Sequence, residues 1–213
     1  MCYINTLILN ADVEVVKMRL GRPLQHEPEV ALTAAMHAFW RSGYHHTSMR
    51  DLLDAMHISR SSLYQAYGNK EALFLQVLAR YREALLERLA ESLAQEESAW
   101  AFIQGMLERT AQQAESEQAA LGCLIFNSAT ELGNTGTAVS DAAVESVQAI
   151  TQFFVNVVEQ AQQEGAIPAA RDAQSLAYFL TLSMSGLRML LKSGASQQQA
   201  EQQVAHILRG LSA

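Results

Sequence analysis

The stretch MHISRSSLYQAYGNK, Met56 to Lys70, gathers Ser59, Arg60, Ser61 and Ser62 at the opening of a short helix. At such an end the first-turn N–H groups have no intrahelical partner, and hydroxyls and a guanidinium beside them suit phosphates and base edges. Arg60 can reach a guanine edge or a phosphate, while Ser61, Ser62 and Gln65 offer hydrogen bonds from the exposed face. Other polar groups lack an equivalent order. His45, His46, Asp51 and Asp54 supply imidazole and carboxylate, but no metal-ligand spacing, nucleophile elbow or phosphate loop goes with them. The expectation is a chain without catalytic residues, metal ligands or cofactor.

Positioning that helix end takes several short elements. Pro28, then Leu32, Ala35, Met36 and Phe39 at helical spacing, then Gly43, mark a first helix over about 27–42. Ser48 with Asp51 forms a capping box for a second helix to about Ala55, and the MHI run breaks it. Ser59 caps the third, whose inward positions are Leu63 and Tyr67; Gly68 ends it, and Asn69 caps a fourth that extends to about Gln95. Two helices joined by a tight turn, the second opening with small polar and basic residues, is the helix-turn-helix pattern. In it the second helix lays its amino end against base edges in the major groove.

Composition permits this at one end of the chain. The 213 residues are 49% hydrophobic and 17% charged, with three prolines and long Ala/Leu/Gln stretches, which points to an all-α protein with a real core. Formal net charge is −7, yet 18–70 carries +2 and five of the six histidines, whereas the chain from Glu71 onward carries −8. A polyanionic partner therefore fits the front end alone. Cys2 and Cys123 suggest no disulfide framework, and a reducing cytosol suits them. The opening MCYINTLILNADVEVVK lacks a basic start and has only a short apolar run, so neither a signal peptide nor a membrane span is indicated; residues 1–20 read as a tail, with MRLGRPLQ from Met18 a natural beginning. A cytoplasmic location is expected.

The run Gly21 to Pro23, Gly43-Tyr44, Thr47-Ser48, HISRSSLYQAYGNKEAL, and the placing of Leu63-Tyr64, Tyr67 and Lys70-Glu71 resemble the DNA-binding domain of the TetR (tetracycline repressor) family of regulators, over about 21–78. The resemblance implies a helix-turn-helix head at 21–70 and a ligand-binding and dimerisation body at 71–213. It also implies a homodimer on a palindromic operator in double-stranded DNA, released when a small molecule binds the body. Residue by residue, it places Thr47, Tyr64 and Lys70 at phosphates, and Arg60, Ser61, Ser62 and Gln65 near bases or their flanking phosphates; Ser59, the cap, joins the DNA-binding set from the reading of the helix end itself. Arg22 would enter the minor groove from an arm. Two positions depart from the family pattern: His57 stands where a turn glycine is usual, and Ser61 where the recognition helix commonly has glycine.

The rest of the chain reads as helices over about 98–116, 119–132, 138–164, 172–192 and 196–211, about nine in all. An apolar pocket with a few polar groups suits a small effector, and the candidates are Phe102, Met106, Cys123, Phe126, Asn127 and Phe153, with Thr130 or Glu131 on the same helical face. For the three apolar residues outside the LGCLIFN run, ordinary core packing is the competing reading. Cys123 is either a small buried hydrophobe or a thiol that senses oxidants or electrophiles. Leu176, Phe179, Leu180, Ser183, Met184, Leu187, Leu190 and Leu191, with Ser183 and Gly186 allowing close approach, then Val204, Ile207, Leu208 and Leu211, are the expected four-helix dimer surface; in a monomer they would be core.

Overall fold

The structure is a computed structural model that describes residues 28–133 and 135–212; the tail of 1–20 and Arg22 lie outside the described residues. Local chemistry fixes the turns of the head. Helix α1 (Pro28–His46) starts on a proline and breaks at Gly43, whose φ of 79° and ψ of 171° are open essentially to glycine alone. Helix α2 (Met49–Met56) begins with a reciprocal capping box: Asp51 N donates to Ser48 Oγ at 3.2 Å, and Ser48 N donates to Asp51 Oδ2 at 2.8 Å. It stops at His57, which adopts the left-handed conformation (φ 53°, ψ 37°) that the missing turn glycine demands. Helix α3 (Arg60–Tyr67) ends at Gly68, and α4 (Lys70–Gln95) starts where Ala72 N donates to Asn69 Oδ1 at 2.8 Å. At 1.5 Å per residue α4 is about 39 Å long.

The body comprises α5 (Ala99–Gln112), α6 (Glu117–Leu121), α7 (Leu124–Leu132), α8 (Ala138–Gln163), α9 (Ala173–Lys192) and α10 (Gln197–Ser212). Ser98, Thr137 and Asp172 cap α5, α8 and α9 through their side-chain oxygens. The described residues are all-α. One expected helix is divided: 119–132 breaks at Gly122 (φ 72°) and Cys123, giving α6 and α7 and a count of ten among the described residues. No described helix is long and apolar enough to cross a membrane.

Helix α8 runs between α4, α7 and α9 and buries Ile150, Phe154, Val157 and Val158. Each such side chain contributes about 1.5–3 kcal/mol on leaving water. In the head, Phe39, Leu52, Leu63 and Phe74 are fully buried, joining α1, α2, α3 and the start of α4 into one core. The apolar surface of α9 differs from the expected one. Leu176, Leu180, Met184, Leu187 and Leu191 face their own chain, as do Val204, Ile207 and Leu211 of α10; Leu190 and Leu208 are half-buried, and of the expected stripe Phe179 is exposed, beside Tyr178, Leu182 and Met189 at 55%, 70% and 70%. Because α9 is apolar over most of its circumference, periodicity alone selected the inward stripe.

Candidate nucleic-acid interface

Leu63, with no exposed surface, anchors α3 to the head and turns the opposite face of that helix outward. Tyr67 adds a tie, its hydroxyl donating to the Pro28 carbonyl at 3.3 Å. Ser59, Arg60, Ser61, Ser62, Tyr64 and Gln65 are all exposed on this one helix end. Ser59 Oγ accepts from Ser62 N at 3.1 Å and lies 2.8 Å from both the Ser61 and Ser62 hydroxyls, so the cap and its neighbours form one small hydroxyl cluster. The first turn of α3 contains no acid, which leaves its positive end uncompensated. Its geometry matches a short, narrow probe with a charged tip, of a size that enters a major groove.

Around this probe the sequence-derived residues fall differently. Lys70 opens α4 with its ammonium 4.6 Å from the centre of the Tyr44 ring; partial burial pushes its pKa down, with Glu131 acting in the opposite direction. Thr47 departs from the phosphate role. Its side chain is 1% exposed, and its hydroxyl donates inward to the Gly43 carbonyl at 2.6 Å, holding the α1–α2 corner. A hydroxyl used this way is not presented to DNA.

The same corner is clamped from the body. Glu131, near the end of α7, accepts from Tyr44 N at 2.9 Å through Oε2 and from His45 N at 2.7 Å through Oε1. Gly43 is the residue that lets it approach, since a Cβ there would lie 2.5 Å from Glu131 Oε2. Sequence reading placed Glu131 among pocket polar groups. The partners stand 87 and 86 residues away, and the one local hint was that Glu131 is the single charged residue of α7.

The expected effector residues make these contacts. Phe102 is fully buried and meets the Phe153 ring edge-on at 6.0 Å, and Met106 lies in the same core. Asn127 Nδ2 donates to the Leu121 carbonyl at 2.8 Å and so fastens the α6–α7 corner, while Phe126 is half-buried against the core. Cys123 is the N-cap residue of α7, 4% exposed, and its Sγ accepts from the Tyr81 hydroxyl at 3.8 Å. Full burial, and next the nearby thiol, push the Tyr81 pKa far up. A cavity of about 130 Å³ lies elsewhere, between α1 and α4, lined by Glu29, Leu32, Thr33, Met36, Val77, Arg80, Tyr81, Ala84 and Arg88. None of the six expected residues lines it; Phe102 and Phe153 pack on each other instead.

Known proteins share this layout. Residues 99–207 match the family model described as the tetracyclin repressor-like C-terminal domain, and residues 31–77 match that of bacterial regulatory proteins, tetR family. The HTH-type transcriptional repressor ComR of Escherichia coli (strain K12) is 29% identical over 203 residues, which are 93% of this chain and 95% of that protein. The HTH-type transcriptional repressor BdcR of the same organism is 25% identical, over 84% of this chain and 86% of its own. Among solved structures, a cysteine mutant of the TetR family transcriptional regulator CifR, complexed with 26-bp double-strand operator DNA, superposes with a TM-score of 0.78 at 29% identity, covering 90% of this chain and 100% of that one.

Proposed function

The chain belongs to the TetR family of bacterial regulatory proteins, and from that premise we propose that it is a repressor that leaves a palindromic operator when a small molecule binds it. It is a DNA-binding transcriptional regulator working as a dimer. The observation that carries the reading is the exposed end of α3, with Ser59, Arg60, Ser61, Ser62, Tyr64 and Gln65 outward and Leu63 locked inward. Lys70 and Arg22 complete the DNA-contacting set, and Thr47 serves by shaping the corner. We divide the chain at 70/71 into a reading head and a body for effector binding and dimerisation. Acting on genomic DNA places it in the cytoplasm.

The exposed stripe of Tyr178, Leu182 and Met189 on α9, with α10 beside it, supports a four-helix pairing with a second copy. Two heads must then sit about 34 Å apart to read adjacent half-sites. An effector that prefers a body shape with another spacing weakens DNA binding by linkage.

DNA upstream of the chain's own gene provides the test, by fluorescence anisotropy at several salt concentrations. Affinity should fall steeply with salt, and Tyr64→Ala or Arg60→Ala should weaken it by about 1–3 kcal/mol with melting unchanged. A dimer indifferent to duplex DNA at low salt refutes the proposal. A second reading differs in its input: oxidation or alkylation of Cys123. It is favoured by the position of this thiol at the opposite end of α7 from Glu131, so that chemistry at one end reaches the head clamp at the other. If Cys123→Ser leaves an oxidant response intact, that reading fails.

A further inference from the structure

We propose that the cavity between α1 and α4 is the binding site of a small carboxylate carrying an apolar body of about one ring, and that its occupation shifts the head relative to the body. This rests on the regulator function above and names the class of its effector. Size sets the first bound. An apolar cavity of about 150 Å³ accepts benzene, and the seam offers about 130 Å³ with an open mouth. Leu32 and Met36 from α1 and Val77 and Ala84 from α4 give it apolar walls.

Charge sets the second bound. Arg80 Nη2 meets Glu29 Oε2 at 3.2 Å, and both side chains are largely exposed. Arg88 is different: it is half-buried, donates through Nε to the Ala84 carbonyl of its own helix at 3.1 Å, and has no ion pair among the described residues. Its terminal nitrogens are the fork that takes a carboxylate through two parallel hydrogen bonds. With the Arg80 charge balanced by Glu29, the net positive charge of the lining sits on Arg88 and disfavours a cation, and a plain hydrocarbon would give the Arg88 terminal nitrogens no charged acceptor.

A third observation concerns the wall itself. Trp40, one turn beyond Met36 on the same stripe of α1, is 9% exposed, and its indole N–H is buried without an acceptor. Its ring meets that of Tyr81, which lines the cavity, edge-on at 5.1 Å. Buried donors left unpaired are few in folded proteins, and the ring that carries this one packs on Tyr81. The consequence for function is mechanical. Helix α1 belongs to the head and α4 continues from head to body, so a guest that widens their seam tilts the reading helix, and its affinity is linked to that for DNA.

The full chain in a Trp100→Phe background, with Trp40 as its remaining tryptophan, is titrated with benzoate, benzylamine and benzyl alcohol by calorimetry and tryptophan emission. Benzoate should bind and change Trp40 emission; benzylamine should not bind. Arg88→Gln should weaken benzoate by about tenfold or more and leave benzyl alcohol unchanged, as expected for loss of a charge-assisted contact. Ala84→Leu, which fills the space, should remove both. Should Ala84→Leu unfold the chain, Arg88→Gln decides alone. Absence of benzoate binding, or binding indifferent to both substitutions, overturns the site, and benzoate that binds without changing DNA affinity overturns the coupling. DNA binding without any acid is measured in parallel: if it persists while benzoate fails, the site and its coupling fall and the regulator reading stands, and if it is absent while benzoate binds, the regulator reading and the coupling fall and the site stands.

Discussion

Glu131→Ala removes the acceptor of two backbone amides in the head, Tyr44 N at 2.9 Å and His45 N at 2.7 Å. A hydrogen bond to a charged group contributes about 1.5–3 kcal/mol, but His45 is exposed and its N–H returns to water, so the loss concentrates at half-buried Tyr44 and comes to about 2 kcal/mol. For a chain of this length that lowers Tm by roughly 4–8 °C. Gly43→Ala tests the same contact from the other side. Its backbone region costs any other residue about 1–3 kcal/mol, and the added Cβ at 2.5 Å also displaces the carboxylate, with loss of its about 2 kcal/mol, so the single variant should lose about 3–5 kcal/mol. In the Glu131→Ala background only the backbone strain remains. The double variant should then be about 2 kcal/mol more stable than additivity requires. Urea unfolding of all four proteins gives the cycle, and amide exchange at Tyr44 and His45 should accelerate in each variant. Additive losses, or unchanged exchange at those two amides, would refute the clamp.

His57→Gly should raise stability by about 0.5–1 kcal/mol, because it relieves a left-handed non-glycine residue at the turn before α3; thermal melting checks it. Burial, helped by Arg41, holds the His37 pKa below its usual 6.5, so the unfolded chain binds the proton more readily. The stability tied to this residue is therefore full above pH 6.5 and declines as pH falls through the window beneath it. His37→Gln should flatten that part of a stability–pH curve measured by denaturant unfolding. Leu182→Glu places a charge on the exposed stripe of α9 and should shift sedimentation toward monomer while preserving helical circular dichroism; a dimer that survives it assigns the interface elsewhere.

The head was readable because its boundaries are local. Ser48 with Asp51, Ser59, Gly68 and Asn69 each act within four residues of themselves, and the structure uses every one as a cap or stop. The outward face of α3 followed from Leu63 and Tyr67 alone. What failed depends on backbone geometry and on contacts across the fold. Thr47 turns inward because the break at Gly43, only four residues away, sets a carbonyl 2.6 Å from its hydroxyl, and Glu131 finds its partners across the fold. Gly122 did carry a local signal, but the apolar run on both sides of it outweighed a single glycine. The place of the cavity depends on how α1 settles on α4, and periodicity identifies which faces are apolar without saying how well two of them close.

Helix α4 joins Asn69, directly behind the DNA-reading element, to Gln95 in the body without interruption. One residue inserted between Tyr81 and Arg88 would rotate everything upstream by about 100° and advance it about 1.5 Å, turning the reading surface away from its target while every other helix stayed intact. Chain length along this rod is thus a phase as well as a distance, fixed to the single residue. The turns after α7 and α8 carry no such phase, and variation in length among relatives is expected to collect there.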